Sequence, residues 1–214
     1  MSSLALLIGN KNYSSWSLRP WLALRQSGLE FEEVRVALGS PDFADRVRPW
    51  SPAGKVPVLR HENVYVWDSL AICEYLADSF ADRHFWPRDA QRRAFARAAS
   101  AEMHSSFQAL RAQMPMNVRA RGRKVPSTPE LERDIARVLE LWKECRERAT
   151  GRGPFLFGDF TIADAMYAPV TFRFLTYGIA SDYAESLVQI PAMREWAEAA
   201  AAEPETIASS EVGI

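Results

Sequence analysis

The spacing of apolar residues changes near residue 80, and this change limits the folds that the chain can adopt. Up to about residue 80, strand-like runs alternate with helix-like runs, whereas from Asp89 onward only helical spacing recurs. Between the two patterns, the segment DSFADRHFWPRD is polar, contains proline and is typical of a linker. We therefore expect an α/β domain followed by an all-α domain.

The first half predicts the order β-α-β followed by β-β-α. Leu4–Ile8 is continuously apolar, as in a strand covered on both faces, and helical spacing follows over 18–26. EEVRVAL (32–38) alternates like a strand, and VPVLR and VYVW, separated by HEN, predict a hairpin. A helix is expected over 68–79, while 41–52 gives no clear assignment.

The second half predicts helices only. From Phe95 to Met114 apolar residues recur at steps of three and four, which predicts one face of a long helix, and Leu131 to Cys145 repeats the spacing. A third helix is expected to begin near Thr161. A last helix is expected over 191–202, with a proline in its first turn. The tail after Glu203 is predicted to be loose.

Composition argues against several classes of partner. With 26 Lys and Arg against 27 Asp and Glu, the formal net charge is -1, which does not favour nucleic acid or an anionic membrane. No signal peptide or spanning run is recognisable, so we expect a soluble, cytoplasmic chain. Cys73 and Cys145 are predicted to be buried thiols, and no metal-ligand spacing occurs. RARGRK (119–124) is predicted to be a solvated loop, with anion binding as the alternative.

Hydroxyls crowd the segment GNKNYSSWSLRP, between the first strand and the first helix. A helix amino terminus has unsatisfied N–H groups and a partial positive charge, which can hold an anion or lower the pKa of a thiol. We expect Ser17 to cap the helix, which leaves Ser14 and Ser15 free to donate to a ligand's thiolate. The alternative is that all three are caps and turn formers. Dithiol chemistry is excluded, because cysteines are absent from this turn.

Two further motifs follow in the first half. Pro57 begins a strand, where its missing N–H is tolerated. Asp68 and Ser69 open a helix, either as caps or as a pair that holds the ammonium and carboxylate of an amino acid.

With these motifs in this order, the chain resembles the cytosolic glutathione transferase family over essentially its whole length. The matching features are the serine turn, Val56-Pro57, Asp68-Ser69, and GDFTIADAMYAPV with Thr161 and Asp164 at capping-box spacing. The resemblance implies that Thr161 and Asp164 serve folding.

The resemblance also implies the domain boundaries and partners. They are a thioredoxin-like glutathione-binding domain at 1–80, a linker at 81–90, and an all-helical domain at 91–214 that contributes the electrophile pocket. Glutathione would be a co-substrate, no metal is implied, and the enzyme would be a cytoplasmic homodimer that serves detoxification.

Residue by residue, the resemblance implies a glutathione site. The Val56-Pro57 bond would be cis, and the Val56 backbone would pair with the cysteinyl part of glutathione. Asp68 and Ser69 would hold the γ-glutamyl end. Lys55 is the candidate for the glycyl carboxylate, a contact that varies within the family.

Within the family, the serine turn is similar to that of the zeta-like group, where it reads Ser-Ser-Cys-Ser-Trp-Arg, and the chain resembles a bacterial member with such a turn. Ser14, Ser15, Ser17 and Arg19 match this pattern, whereas Trp16 replaces the cysteine. This departure weakens the expectation of zeta-type cis-trans isomerase activity.

We expect a glutathione transferase in which Ser14 donates to the glutathione sulfur, with Ser15 as the alternative. The expected electrophile pocket comprises Trp16, His104, Phe107 and Arg111, although core packing or an interface role is open for His104 and Phe107. Two other functions remain open: a glutathione-dependent isomerase of the maleylacetoacetate type, and a non-catalytic binding scaffold. The second substrate, and the choice among conjugation, isomerisation and peroxide reduction, stay undefined.

Overall fold

A computed structural model describes residues 4–149 and 153–213. The predicted domain bounds at residues 1 and 214 lie outside the described part. The first half contains a four-stranded sheet made of β1 (Leu4–Ile8), β2 (Glu32–Arg35), β3 (Val58–His61) and β4 (Val64–Trp67). The strand order is β2-β1-β3-β4; β1 pairs parallel to β2 and antiparallel to β3, and β3 pairs antiparallel to β4. The fully buried β1 is central, as its apolar sequence predicts.

Three helices accompany the sheet, namely α1 (Ser15–Ser27), α2 (Phe43–Val47) and α3 (Ser69–Ser79). The predicted β-α-β, β-β-α order is confirmed, and α2 lies in the stretch that had no assignment. Helix α1 ends at Ser27 and is followed by the C-cap Gly28, whose φ of 72° is readily adopted by glycine.

The second half is helical. It contains α4 (Ala90–Ser105), α5 (Gln108–Gln113), α6 (Pro129–Glu147), α7 (Ile162–Tyr177), α8 (Asp182–Leu187) and α9 (Pro191–Ala201). Short 3₁₀ turns lie at Ala81–Arg83 and Ala208–Ser210. A thioredoxin-like sheet domain followed by helices is therefore the observed architecture. Within the residues that the structure describes, no helix is long and apolar enough to cross a membrane.

The prediction of one long helix from Phe95 to Met114 is wrong. The chain breaks after Ser105, and Phe107 adopts the left-handed region at a φ of 64° before α5 begins. The Arg111 guanidinium binds the exposed end of α4, donating from Nε to the Ser106 carbonyl at 3.0 Å and from Nη2 to the Met103 carbonyl. These bonds satisfy carbonyls that the interrupted helix leaves unpaired.

The prediction that Ser17 caps α1 is also wrong. The helix begins at Ser15, and its first bond runs from the Leu18 amide to the Ser14 carbonyl, so Ser14 holds the N-cap position. Ser17 lies within the first turn, where its Oγ accepts from the Gly9 amide at 3.1 Å. This bond connects the helix to the end of β1.

The tail after Glu203 is docked, contrary to the prediction that it is loose. Arg119 donates to the Glu203 carbonyl at 2.6 Å and to the Glu205 carbonyl at 2.9 Å, and Arg123 forms an ion pair with Glu211. The basic run is a loop, as predicted, but these arginines are partly buried against the tail. The prediction of a solvated loop therefore holds for Arg121, Gly122 and Lys124, which are exposed, but not for Arg119 and Arg123.

The two halves share one core. Helix α1 packs against α3, α7 and α9, and the Trp21 and Trp196 rings meet edge to face with centroids 4.9 Å apart. The capping box predicted from Thr161 and Asp164 is present at the start of α7. Cys73 and Cys145 are fully buried, as predicted, and burial raises the pKa of each thiol to about 12.

Candidate active site

A cleft of about 420 Å³ lies between the sheet domain and α4. Its walls come from the start of α1, the loop before β3, the turn from β4 to α3, and the end of α4. The lining residues are Trp16, Ala53, Lys55, Val56, Pro57, Trp67, Asp68, Ser69 and His104. Six of the site residues predicted from the sequence thus converge on one cleft, and the Val56-Pro57 bond is cis, as predicted.

Asp68 holds a strained position in this cleft. It adopts a φ of 75° and a ψ of 132°, which is unusual for a residue other than glycine. Its Oδ1 accepts from the Leu70 amide at 2.9 Å and the Ala71 amide at 3.2 Å, so it caps α3. Its Oδ2 lies 3.2 Å from His104 Nε2. The cap was foreseen from sequence, whereas the contact with His104 was not.

Ser14 and Ser15 immediately precede Trp16 in the chain, but neither is among the residues that line the cleft. Ser14 and Ser15 are buried, at 6% and 7% exposure, and the Ser14 hydroxyl donates to Ser17 Oγ at 2.8 Å. Within 4–149 and 153–213, the Ser15 hydroxyl has no hydrogen-bond partner. The turn therefore presents one engaged hydroxyl and one available hydroxyl near the start of a 13-residue helix.

Trp16 contacts three cationic or titratable side chains. The Arg19 and Arg111 guanidinium carbons lie 4.3 and 4.7 Å from its ring centroid, and the His104 ring meets it edge to face at 5.3 Å. Burial lowers the pKa of His104. Phe107, in contrast, is buried in the hydrophobic core at 4% exposure.

Arg19 also belongs to this region, although it is not among the predicted site residues. It is completely buried, and its Nη1 lies 3.5 Å from Ser69 Oγ. In the described part of the chain, its Nε and Nη2 have no hydrogen-bond partner. The available signal was its place on α1 three residues after Trp16, which puts both on one helix face.

Fold and site together define a glutathione-transferase-like protein, and comparison with known proteins identifies the family. The family model for the N-terminal domain of glutathione S-transferase matches residues 13–79, and that for the C-terminal domain matches residues 128–199. The chain belongs to the glutathione S-transferase family.

Curated relatives match over part of the chain. A probable maleylacetoacetate isomerase of Caenorhabditis elegans is 35% identical over 96 residues, which cover 45% of this chain and 44% of the relative. Glutathione S-transferase 1 of Dianthus caryophyllus is 36% identical over 102 residues, covering 45% of this chain and 44% of the relative. The aligned segments thus span less than half of either relative.

Solved structures match over nearly the whole chain. A glutathione transferase homologue from Burkholderia GL BGR1, crystallised with bound glutathione, has a TM-score of 0.70 at 22% identity. The match covers 95% of this chain and 100% of the homologue. This likeness supports the fold.

Proposed function

We propose that the chain is a glutathione transferase that binds glutathione in the cleft and activates its thiol for attack on a small electrophile. The observation that carries the proposal is the convergence of Lys55, Val56, Asp68 and Ser69 on one cleft beside the start of α1. The names of the relatives and the glutathione bound to the Burkholderia homologue support the same ligand.

In the proposed pose, glutathione lies extended along the segment before β3. The Val56 backbone pairs with the cysteinyl part, and Lys55 receives the glycyl carboxylate. Asp68 and Ser69 hold the γ-glutamyl end. Because two helix amides engage Asp68 Oδ1, the ammonium of the ligand meets Oδ2 and shares it with His104.

A serine hydroxyl and the amino terminus of α1 are proposed to stabilise the thiolate. A free thiol of this kind has a pKa of about 8.5, and each unit of lowering corresponds to about 1.36 kcal/mol. A hydrogen bond from a hydroxyl, with the helix terminus, supplies about one to two units. Ser14 is the proposed donor and Ser15 the alternative. Ser14 must turn from Ser17 to donate to sulfur, whereas Ser15 has no bond to break.

The second substrate is proposed to lie against Trp16, with His104 and Arg111 at its edge. In conjugation, the thiolate sulfur forms a bond to the electrophilic carbon, and a leaving group such as halide departs with its bonding electrons. Phe107, predicted for this pocket, is packed in the hydrophobic core and does not line the cleft.

A glutathione-dependent cis-trans isomerase is the second candidate. The similarity to a probable maleylacetoacetate isomerase favours it. In such a reaction the thiolate adds to the double bond, which becomes a single bond. The adduct rotates about this bond, and the thiolate leaves again as the double bond re-forms in the trans geometry. Trp16, in the place of the zeta-type cysteine, argues against this candidate.

A homodimer is part of the proposal. The edge strand β4 exposes Val64 on one face and Tyr65 and Trp67 on the other, at 46%, 41% and 44%, and this edge is proposed to meet a second copy. Size-exclusion chromatography with light scattering tests this point, and a monomeric mass contradicts it.

The proposed function is tested in two stages. Retention on glutathione resin, with elution by free glutathione, separates a glutathione binder from an unrelated scaffold. A generic aryl halide and a maleyl-type cis double bond are then assayed with and without glutathione. Binding without turnover of either substrate would favour the scaffold, and turnover of the cis double bond alone would favour the isomerase.

A further inference from the structure

The backbone turn that leads into Ser14 is held by a carboxylate from the far end of the chain. Glu203 Oε1 accepts from the Lys11 amide at 2.7 Å, and Oε2 accepts from the Asn12 amide at 3.0 Å. The Glu203 side chain is only 6% exposed. One buried carboxylate thus receives two successive backbone amides with both of its oxygens.

The negative charge of the Glu203 carboxylate is balanced by backbone amides and by a neighbouring arginine. Successive amides in a turn form a concavity that binds anions, and charge-assisted hydrogen bonds are the stronger kind. Arg35 Nη1 lies 3.5 Å from Oε1 and supplies a neighbouring positive charge. Glu203 therefore acts as a resident anion in the concavity.

The same turn is held from other sides by the helical half. Trp196 Nε1 donates to the Lys11 carbonyl at 2.8 Å, and the Val118 amide donates to the Asn12 carbonyl at 3.2 Å. Within the turn, the Ser14 amide donates to the Asn10 carbonyl at 2.8 Å. The direction in which Ser14 leaves the turn thus depends on contacts with the C-terminal region.

We propose that Glu203 is a positioning residue for thiol activation: by binding the Lys11 and Asn12 amides, it sets the start of α1 and the serine hydroxyls at the place where the glutathione sulfur is held. This inference rests on the proposed function. Small displacements of a catalytic group cost large factors in rate, so a loosened turn weakens the stabilisation of the thiolate.

The test is a pH titration of the glutathione-bound protein, followed by the ultraviolet absorbance of the thiolate. Glu203→Gln keeps the size of the side chain but replaces one acceptor by a donor, which faces an amide. Glu205→Gln is the matched control, because Glu205 pairs with the same Arg35 at 2.9 Å and its side chain does not bind the turn.

For Glu203→Gln we expect the pKa of the bound thiol to rise by about one unit and kcat near neutral pH to fall about five- to tenfold. The defect should disappear at alkaline pH, where the thiol ionises in both proteins. The loss of a negative charge would by itself lower the thiol pKa, so a rise separates positioning from simple electrostatics. The Glu205→Gln control should titrate like the wild type.

Three outcomes decide the matter. An unchanged or lowered thiol pKa in folded Glu203→Gln overturns the positioning role, as does an equal rise in Glu205→Gln. If wild-type protein shows no thiolate with glutathione, the proposed function itself fails. Should Glu203→Gln not fold, Glu203→Asp, one methylene shorter, is titrated with the same expected direction and the same criterion.

Discussion

His104 Nε2 lies 3.2 Å from Asp68 Oδ2 and so connects α4 to the turn between β4 and α3. Asp68 also caps α3, which means that its two oxygens serve two different elements. A single carboxylate thereby couples the helical half to the proposed γ-glutamyl site. The protonation of His104 then bears on both stability and ligand binding.

Acidification is expected to destabilise the fold through His104. Burial lowers the pKa of His104; Arg19 and Arg111 act in the same direction, and Asp68 opposes them. The native state then binds fewer protons than the unfolded chain, whose histidine has a pKa of about 6.5. The free energy of unfolding is therefore retained above a pH of about 6.5. It falls as the pH drops from this unfolded-state pKa toward the lower pKa of His104 in the folded protein. Urea unfolding across this pH window should show that the free energy of unfolding declines less steeply in His104→Gln than in the wild type.

Asp68→Asn provides the companion measurement. It keeps a side chain that can cap α3 but removes the charge that favours protonated His104. The decline of stability on acidification should then be steeper than in the wild type. If the His104→Gln profile parallels that of the wild type, His104 is not the group responsible.

Ser14→Ala is expected to lower kcat at neutral pH by about tenfold, the equivalent of about one unit in the thiol pKa, because the contribution of the helix terminus remains. The KM for glutathione should change much less, because the peptide contacts of the ligand remain. Steady-state kinetics with an aryl halide and the thiolate titration measure the two effects. Ser27→Ala, at the other end of α1, is the control.

Ser15→Ala separates the two hydroxyls. If Ser15→Ala lowers kcat at neutral pH and Ser14→Ala does not, the donor is Ser15, whose hydroxyl does not bind Ser17. If neither substitution shifts the thiol pKa, the assignment of a serine donor is wrong.

Arg19→Met is expected to weaken glutathione binding without loss of stability. Arg19 is fully buried, burial lowers its pKa, and two of its nitrogens lack partners within the described ranges. Replacing such a charge by an apolar side chain is commonly neutral or stabilising, here by about 1 kcal/mol. The charge beside Ser69 would be lost, so the KM for glutathione should rise about fivefold, the equivalent of about 1 kcal/mol.

Thermal unfolding and glutathione titration test Arg19→Met together. Arg25→Met, on an exposed part of the same helix, is the control and should change neither the thermal stability nor the affinity for glutathione by much. A large loss of stability in Arg19→Met would mean that the guanidinium serves the fold.

Asp164→Ala is expected to destabilise the protein by about 2–4 kcal/mol. The buried carboxylate accepts from the Leu156 and Thr161 amides and from the Tyr183 hydroxyl, each at 2.9 Å. Its loss would leave these donors buried and unpaired. Chemical denaturation measures the effect, with Thr128→Ala, an ordinary N-cap of α6, as a control costing about 1 kcal/mol. Equal losses would contradict a special role for Asp164.

The parts of the fold that depend on local patterns could be predicted from the sequence. The apolar run of β1, the hairpin of β3 and β4, and the capping box at Thr161 all lie within short windows. The cleft residues Lys55 and Asp68 were foreseen through the order of motifs. Their roles in binding stay predictions.

Other features depend on contacts between distant residues. The break at Phe107 leaves the apolar spacing unchanged and depends on how the Arg111 guanidinium binds the end of α4. The prediction that Ser17 caps α1 fails because its hydroxyl oxygen accepts from the Gly9 amide, eight residues away. Glu203 lies beyond α9, and its bonds to Lys11 and Asn12 span more than 190 residues.

The burial of Cys73 and Cys145 has a consequence for the proposed chemistry. Both thiols are inaccessible, and a pKa of about 12 leaves almost no thiolate on either at neutral pH. They are the only cysteines in the chain. Under the proposed function, an alkylating substrate in the cleft would meet no cysteine thiolate of the protein, so the protein's own cysteines would escape alkylation during turnover.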